Sequence, residues 1–142
     1  MSRVLSRLYD EVLRPSGLRM SQLSVLVAIA RFGERGAKIG ALADVLATER
    51  TTLTRNIGPL ERAGFLRVAR DPGDARARIL LLTRAGERAI EAAFPLWQVA
   101  QRRVRDAVGS GRLEEYNAEM TALLSAVSQR GDAKPTARSR RR

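Results

Sequence analysis

Residues 46–64 read LATERTTLTRNIGPLERAG, and this stretch decides the fold. Leu53, Ile57 and Leu60 recur at spacings of four and three residues, which predicts a helix from about residue 48 to residue 63 with these side chains on one face. Small hydroxyl side chains and arginines fall on the opposite face. The helix therefore has one face for a core and another that either contacts a ligand or is an ordinary solvent-exposed surface.

The pattern changes period directly after this helix. Residues 65–70 and 76–83 are short runs of extended character, and they flank the sequence DPGDA at 71–75. Pro presets φ and Gly tolerates φ > 0, so this sequence predicts a β-hairpin. A short helix is predicted before the deciding stretch, at about residues 39–46. Helix, short turn, helix and hairpin is the order of a winged helix-turn-helix.

The rest of the chain is predicted to be helical. Amphipathic or apolar periodicity predicts further helices at about residues 3–14, 21–32, 85–108 and 112–129. Pro95 is expected to kink the long helix at 85–108. Residues 131–142 lack apolar periodicity and are rich in Arg, which predicts a disordered tail. The predicted fold class is mostly α with a small β-hairpin wing (α+β), in one domain over residues 1–130.

Charge is concentrated in two parts of the 142-residue chain. The formal net charge is +11, with 26 Lys+Arg against 15 Asp+Glu. Residues 50–88 contain nine Arg against four acidic residues, and residues 130–142 contain six basic residues against one acidic residue. Clustered arginines around a helix-turn-helix pattern indicate a polyanionic partner, and double-stranded DNA is the expected one.

The chain contains no Cys and no His, which excludes several kinds of chemistry. Disulfides, thiolate catalysis, Cys/His metal sites and His-dependent triads are all ruled out. No nucleophile paired with a base is visible, so we expect a protein that is not an enzyme and needs no cofactor or metal. No apolar run approaches the roughly 20 residues of a membrane span, and the N-terminus lacks a signal-peptide pattern, so a cytoplasmic location is expected.

The outward face of the helix at 48–63 carries the candidate base contacts. Arg55 is suited to pair bidentately with guanine, while Thr hydroxyl and methyl groups suit phosphates and thymine methyls. The recognition-helix set is Arg50, Thr51, Thr52, Thr54 and Arg55. Pro59, inside the same helix, offers no N–H to the carbonyl of Arg55, which predicts a kink between them.

The hairpin carries the second candidate surface. Arg70, Arg76 and Arg78 lie around the turn, and arginines on a projecting tip suit insertion into a narrow minor groove. We expect Asp74 to hold Arg76 extended through an ion pair. A solvated turn with incidental arginines is the alternative interpretation.

In these helix and hairpin segments the sequence resembles the MarR family of bacterial transcription regulators. The segment quoted above is similar to the family's fourth helix, and residues 74–86, DARARILLLTRAG, are similar to its wing signature of Asp-x-Arg followed by Leu-Thr-x-x-Gly. Phe94, Pro95 and Trp97 resemble the family's long fifth helix. The resemblance extends over residues 4–127.

This resemblance implies a homodimer in which each subunit presents one winged helix to half of a palindromic operator. Residues 1–20 and 86–130 would be dimerisation helices, and residues 21–85 the DNA-binding lobe. Asp74 and Arg76 take the wing role, and Lys38 is placed near a DNA backbone phosphate.

The resemblance also implies repression that a small aromatic or anionic effector relieves. Its pocket would be lined by Tyr9, Leu13, Leu23, Phe94 and Trp97, and ordinary core packing of these side chains is the alternative interpretation. The alternative from another class is an architectural, nucleoid-type protein that binds DNA through charge alone. Such a protein has no need for paired hydroxyls beside Arg55, whereas a sequence-specific bacterial regulator does.

Overall fold

The computed structural model describes residues 3–109, 111–112, 115 and 118. Five helices and three strands occupy the continuous part. In chain order they are α1 (Arg3–Leu13), α2 (Met20–Arg31), β1 (Ala37–Lys38), α3 (Ile39–Val45), α4 (Arg50–Arg62), β2 (Leu66–Asp71), β3 (Asp74–Leu82) and α5 (Arg84–Val108). Short 3-10 helices at Arg14–Ser16 and Gly33–Arg35 follow α1 and α2. The predicted fold class is confirmed, and the predicted last helix and Arg-rich tail lie outside the continuously described residues.

The chain divides into two units, Met1–Arg102 and Arg103–Arg142. The first holds the winged helix-turn-helix elements together with α1 and most of α5. Its core is a cluster of apolar side chains from the helices and the strands. The largest fully buried members are Leu13, Leu26, Ile29, Leu42, Leu53, Leu60, Leu66 and Leu80.

The sheet contains one strand that the sequence did not predict. β1 pairs antiparallel with β3 through Ala37–Leu80 and Lys38–Ile79, so the strand order is β1-β3-β2. A strand of two residues is too short to show an alternation of apolar and polar side chains in the sequence. β1 can approach β3 closely because the preceding residue, Gly36, has no side chain. That glycine has φ 74°, and a Cβ there would lie 2.8 Å from the carbonyl oxygen of Leu80. The wing is therefore a three-stranded sheet with β3 at its centre.

Helix starts and prolines also refine the prediction. α2 begins at Met20, one residue before the predicted start at residue 21, and Asp10 accepts a hydrogen bond from the Met20 N–H at 2.8 Å. α4 and α5 both continue without a break through their prolines. The kink that we predict at Pro59 is thus not a termination of the helix.

The turn between α3 and α4 positions the second helix of the motif. Ala47 adopts φ 48°, the left-handed region that is unusual for a residue with a Cβ. The N–H of Thr48 then bonds to the carbonyl of Ala43 at 3.1 Å, which closes the turn. This tight reversal leads directly into α4, whose apolar face joins the core cluster.

The junction between the wing and α5 explains the Leu-Thr-x-x-Gly signature. The Thr83 hydroxyl donates to the carbonyl of Gly64 and accepts from the Gly86 N–H at 3.0 Å. The Thr83 N–H donates to the carbonyl of Phe65 at 3.1 Å. A Cβ on Gly86 would lie only 2.1 Å from that same carbonyl oxygen. Only glycine therefore lets the first turn of α5 pack against the start of the wing.

Candidate nucleic-acid interface

The orientation of α4 follows from its burial. Leu53, Ile57 and Leu60 are buried in the core, so the helix cannot rotate without exposing them. The opposite face is left to solvent, and all five residues of the predicted recognition-helix set are exposed: Arg50, Thr51, Thr52, Thr54 and Arg55. The structure thus brings together the side chains that we assigned to base and phosphate contacts.

Two members of this face have defined local partners. The Thr54 hydroxyl donates to the carbonyl of Arg50 at 2.8 Å, so its proton is used within the helix. Thr54 can still accept a hydrogen bond through its oxygen and offer its methyl group. The Arg50 guanidinium lies over Gly40, where a Cβ would be 2.5 Å from its Nη2 atom. Gly40 in the first turn of α3 therefore makes room for Arg50 on the exposed surface.

The tip of the wing is organised by backbone hydrogen bonds to carboxylates. Asp74 Oδ1 accepts from the Arg76 N–H at 3.0 Å. Within residues 3–109 no ion pair joins the Asp74 carboxylate to the Arg76 guanidinium, so the predicted ion pair is wrong. The carboxylate holds the Arg76 backbone instead, and the guanidinium remains exposed and available to a ligand.

Arginines also face each other across the wing. Arg70 of β2 is the register partner of Arg78 of β3, and both side chains are exposed. Like charges directly opposite one another destabilise a sheet. A local conflict of this kind is typical of a functional surface, and a polyanion would relieve it.

Lys38 lies where we predicted it, at the start of α3, but its ammonium group forms an ion pair within the protein. Lys38 Nζ is 3.1 Å from Asp71 Oδ2, while Asp71 Oδ1 accepts from the Gly73 N–H at 3.0 Å. The Gly73 hydrogen bond and then the Lys38 ammonium lower the pKa of the Asp71 carboxyl below its ordinary value. The predicted phosphate contact of Lys38 therefore competes with an internal partner.

One groove connects these features. It has a volume of about 830 Å³ and lies between α3, the first turns of α4 and the wing strand β3. Its basic and hydroxyl lining includes Lys38, Arg50, Thr54, Arg76 and Arg78. The start of the predicted recognition helix and the wing therefore border the same concave surface.

A second cavity is mostly apolar and lies between α2, the end of α3 and α5. Its volume is about 530 Å³. Leu23, Phe94 and Trp97 line it, the two rings stack at 5.7 Å, and Arg31 stands at its edge. Tyr9 and Leu13 do not line it, although we placed them in the pocket. Both are buried, Leu13 within the core cluster, and burial raises the pKa of the Tyr9 hydroxyl.

In the described residues, a metal site would require a cluster of acidic side chains, and a membrane span would require a long apolar helix. Among them, no group of three or more Asp or Glu side chains is arranged to hold a metal ion. No helix in the described part of the chain combines the length and apolar character needed to cross a bilayer.

Sequence reasoning missed Asp71 and Gly40 on this surface and the packing role of Gly86 at the junction of the wing and α5. Asp71 is acidic within a basic segment, and Gly40 and Gly86 are small residues whose neighbours are distant in the chain. The Leu-Thr-x-x-Gly spacing was a signal for Gly86. For Asp71 and Gly40 the partner lies on another element, so the sequence contained no comparable signal.

Comparison with known proteins agrees with this architecture. A sequence profile described as MarR family matches residues 16–77. The transcriptional regulator MosR of Mycobacterium tuberculosis, solved in complex with DNA, is 36% identical, with 88% of this chain and 90% of MosR covered at a TM-score of 0.73. CouR of Rhodococcus jostii, solved with p-coumaroyl-CoA, is 21% identical and shares the fold, with 84% of this chain and 83% of CouR covered at a TM-score of 0.71.

A curated relative extends the comparison. The transcriptional activatory protein BadR of Rhodopseudomonas palustris is 31% identical over 106 residues, which are 73% of this chain. The chain spans only 57% of the length of BadR. The winged helix with its exposed basic groove, the matching profile and the near full-length similarity to MosR lead to one conclusion: this chain belongs to the MarR family of DNA-binding transcriptional regulators.

Proposed function

We propose that the chain binds a palindromic operator as a homodimer, with α4 in the major groove and the wing in the adjacent minor groove. The observation that carries this proposal is the groove of about 830 Å³ that joins the start of α4 to β3. A recognition helix reads bases through its N-terminal residues, and Arg50 and Thr54 from the start of α4 line the groove. A charge-only DNA binder needs no such alignment of hydroxyls and arginines.

Each side chain of the surface has a distinct proposed role. Arg55 pairs with a guanine, and Thr51, Thr52 and Thr54 contact base edges or thymine methyl groups. Arg50, held over Gly40, contacts the DNA backbone. Arg70, Arg76 and Arg78 are the wing residues, with the Arg76 backbone held by Asp74. These contacts would place the protein with the nucleoid in the cytoplasm of a bacterium.

The proposed dimer uses residues 1–20 and 86–130, while residues 21–85 form the DNA-binding lobe. Val4 of α1 is 76% exposed and Val108 of α5 is 42% exposed, so apolar surface on these two helices is left uncovered in the single chain. A partner subunit would cover it. Two-fold symmetry of the dimer would then match the symmetry of the operator.

The test is protection of DNA fragments from cleavage by wild type and by Arg55→Ala. Wild type should protect a discrete inverted repeat, with half-sites about one helical turn apart. Arg55→Ala should lose about 1–3 kcal/mol of binding free energy and relax preference at one position per half-site. Arg35→Ala is the matched control, because Arg35 is exposed in the 3-10 helix Gly33–Arg35 and belongs neither to the recognition-helix set nor to the wing arginines. Uniform coverage without a repeat would support the architectural alternative instead.

The direction of control that we propose is repression, because occupancy of an operator that overlaps a promoter excludes polymerase. BadR is named as an activatory protein, so the choice needs a direct measurement. A reporter gene behind the protected repeat should be silenced when the chain is expressed. Increased expression would show that the chain activates.

The cavity beside α5 is the proposed effector site, and an aromatic anion is the proposed ligand class. Its stacked rings suit an aromatic ligand, and Arg31 at the edge suits a carboxylate. Trp97 is the single tryptophan of the chain, so its fluorescence reports directly on this cavity. p-Coumarate should quench it, and Phe94→Ala should weaken the effect. Unchanged fluorescence at saturating p-coumarate would argue against this ligand class.

A further inference from the structure

The ion pair between Lys38 and Asp71 spans the whole wing sheet. Lys38 lies on the edge strand β1, and Asp71 ends the opposite edge strand β2, with β3 between them. The pair therefore links the start of α3 to the tip of the wing over the central strand. Among the described residues, Lys38 and Asp71 form the only ion pair between side chains.

The ladder of the hairpin is irregular at the same place. Register runs evenly from Leu66–Leu82 to Arg70–Arg78, and the next pair is Asp71–Asp74. Residues 75–77 of β3 therefore have no partner on β2. Beyond Arg70 the tip is held less by strand pairing, and the Asp71 side chain provides the additional bonds to Gly73 and Lys38.

We propose that Asp71 is a positioning residue for DNA binding, which acts through Lys38 to hold the wing tip at a set distance from α3 and α4. The inference rests on the proposed function, because a set distance matters only if helix and wing enter two neighbouring grooves together. Asp71 is an acidic group on a basic surface. If the Asp71 carboxylate acted by repelling phosphates, it would weaken DNA binding. Removing its charge should therefore lower DNA affinity if Asp71 positions the wing, and raise DNA affinity if Asp71 only repels phosphates.

Asp71→Asn separates these explanations. The amide oxygen can still accept from the Gly73 N–H, so the turn is retained while the charge that holds Lys38 is lost. We expect affinity for a specific duplex to fall about two- to five-fold, the range typical of an exposed ion pair. Affinity for poly(dA-dT) should stay the same or rise, because one negative charge has been removed.

The probes are a duplex that the wild-type chain enriches from a random-sequence library and poly(dA-dT), both measured by fluorescence anisotropy. Lys38→Gln should lower specific affinity by a similar factor, and the double variant should be no weaker than either single variant. Lys38→Arg should retain wild-type affinity, because it preserves the pair. Glu34→Gln is the charge-matched control: Glu34 is exposed on the 3-10 helix Gly33–Arg35, does not line the groove and, among the described residues, has no ion partner. Its removal should leave specific affinity unchanged or slightly higher.

Three results would overturn the proposal. Tighter specific binding by Asp71→Asn would show that the carboxylate acts by repulsion. A Lys38→Gln variant whose salt dependence falls by about one phosphate contact would show that Lys38 binds DNA directly. Additive losses in the double variant would show that the two residues act independently.

A measurement without DNA tests separately whether the Lys38–Asp71 ion pair restrains the wing. Amide hydrogen exchange in the wing, residues 66–82, should be faster in Asp71→Asn and Lys38→Gln than in wild type and Glu34→Gln. Unchanged exchange would contradict the positioning role. Failure of wild type to enrich any duplex would instead contradict the proposed function, and the exchange result would still decide whether the pair holds the wing.

Discussion

Replacing Gly86 by alanine tests the junction between the wing and α5. In an ordinary helix interior this change would stabilise by about 1 kcal/mol, because alanine has the higher helix propensity. Here the new Cβ would lie 2.1 Å from the carbonyl oxygen of Phe65 and 2.7 Å from Leu82 Cδ1. The Leu82 side chain can move away, but the Phe65 oxygen belongs to the backbone and cannot.

The size of the effect follows from the displacement required. Real Cβ contacts shorter than 3.0 Å essentially do not occur, so the helix start and the Phe65 carbonyl must separate by about 0.9 Å. Overpacking of this kind costs about 1–3 kcal/mol. The same movement weakens the Thr83–Phe65 hydrogen bond, worth about 0.5–1.5 kcal/mol. After the gain in helix propensity, we expect a net loss of about 0.5–3.5 kcal/mol in the free energy of unfolding.

Urea and thermal unfolding, followed by far-ultraviolet circular dichroism, measure this loss. A chain of this length should unfold about 3 °C lower for each kcal/mol. Gly73→Ala is the matched control, since its Cβ meets only Asp71 Oδ1 at 3.7 Å and its φ is not in the left-handed region. That variant should be as stable as wild type or more stable by up to about 1 kcal/mol. If Gly86→Ala unfolded at or above the wild-type temperature, the close approach at Phe65 would not constrain the fold.

Three further predictions concern the core, the wing and acid stability. Leu53→Ala should lower the free energy of unfolding by about 2–5 kcal/mol in the same assay, because Leu53 is 1% exposed beneath the recognition face; a loss below 1 kcal/mol would mean that the core refills the space. Arg76→Ala should weaken operator binding chiefly when the flanks are A·T-rich, as measured by anisotropy with matched A·T and G·C flanks, and equal losses on both would refute a minor-groove role. The lowered pKa of Asp71 means that its contribution to stability is present above about pH 3.8 and is lost as pH falls through the folded-state pKa. The stability difference between wild type and Asp71→Asn should therefore shrink on acidification below that pH in urea titrations, and a constant difference would contradict the linkage.

Much of the architecture was predictable because it depends on local periodicity. The apolar spacing of Leu53, Ile57 and Leu60 decides which face of α4 is buried, and the Pro-Gly turn decides where the hairpin reverses. The family assignment confirms the predicted regulator, as opposed to an enzyme. The buried face of α4 and the position of the hairpin turn depend only on residues that are close together along the chain.

Local periodicity did not decide which side chain meets which partner. Asp74 holds a backbone N–H and not the Arg76 guanidinium, Lys38 is paired with Asp71, and Tyr9 and Leu13 do not line the cavity beside α5. Charge and spacing restrict the possible partners without selecting one. The selection depends on the packing of elements that are distant in sequence.

The sequence by itself determined the order of helix, turn, helix and wing, the buried face of α4 and the basic character of the surface beside it. Only the tertiary structure decided that β1 joins the sheet, that Gly86 must lie against Phe65 and that Lys38 reaches Asp71 across β3. The physical reason is the range of the interactions. Helix and turn preferences act over a few residues, whereas a groove and an ion pair across a sheet exist only after distant segments have packed together.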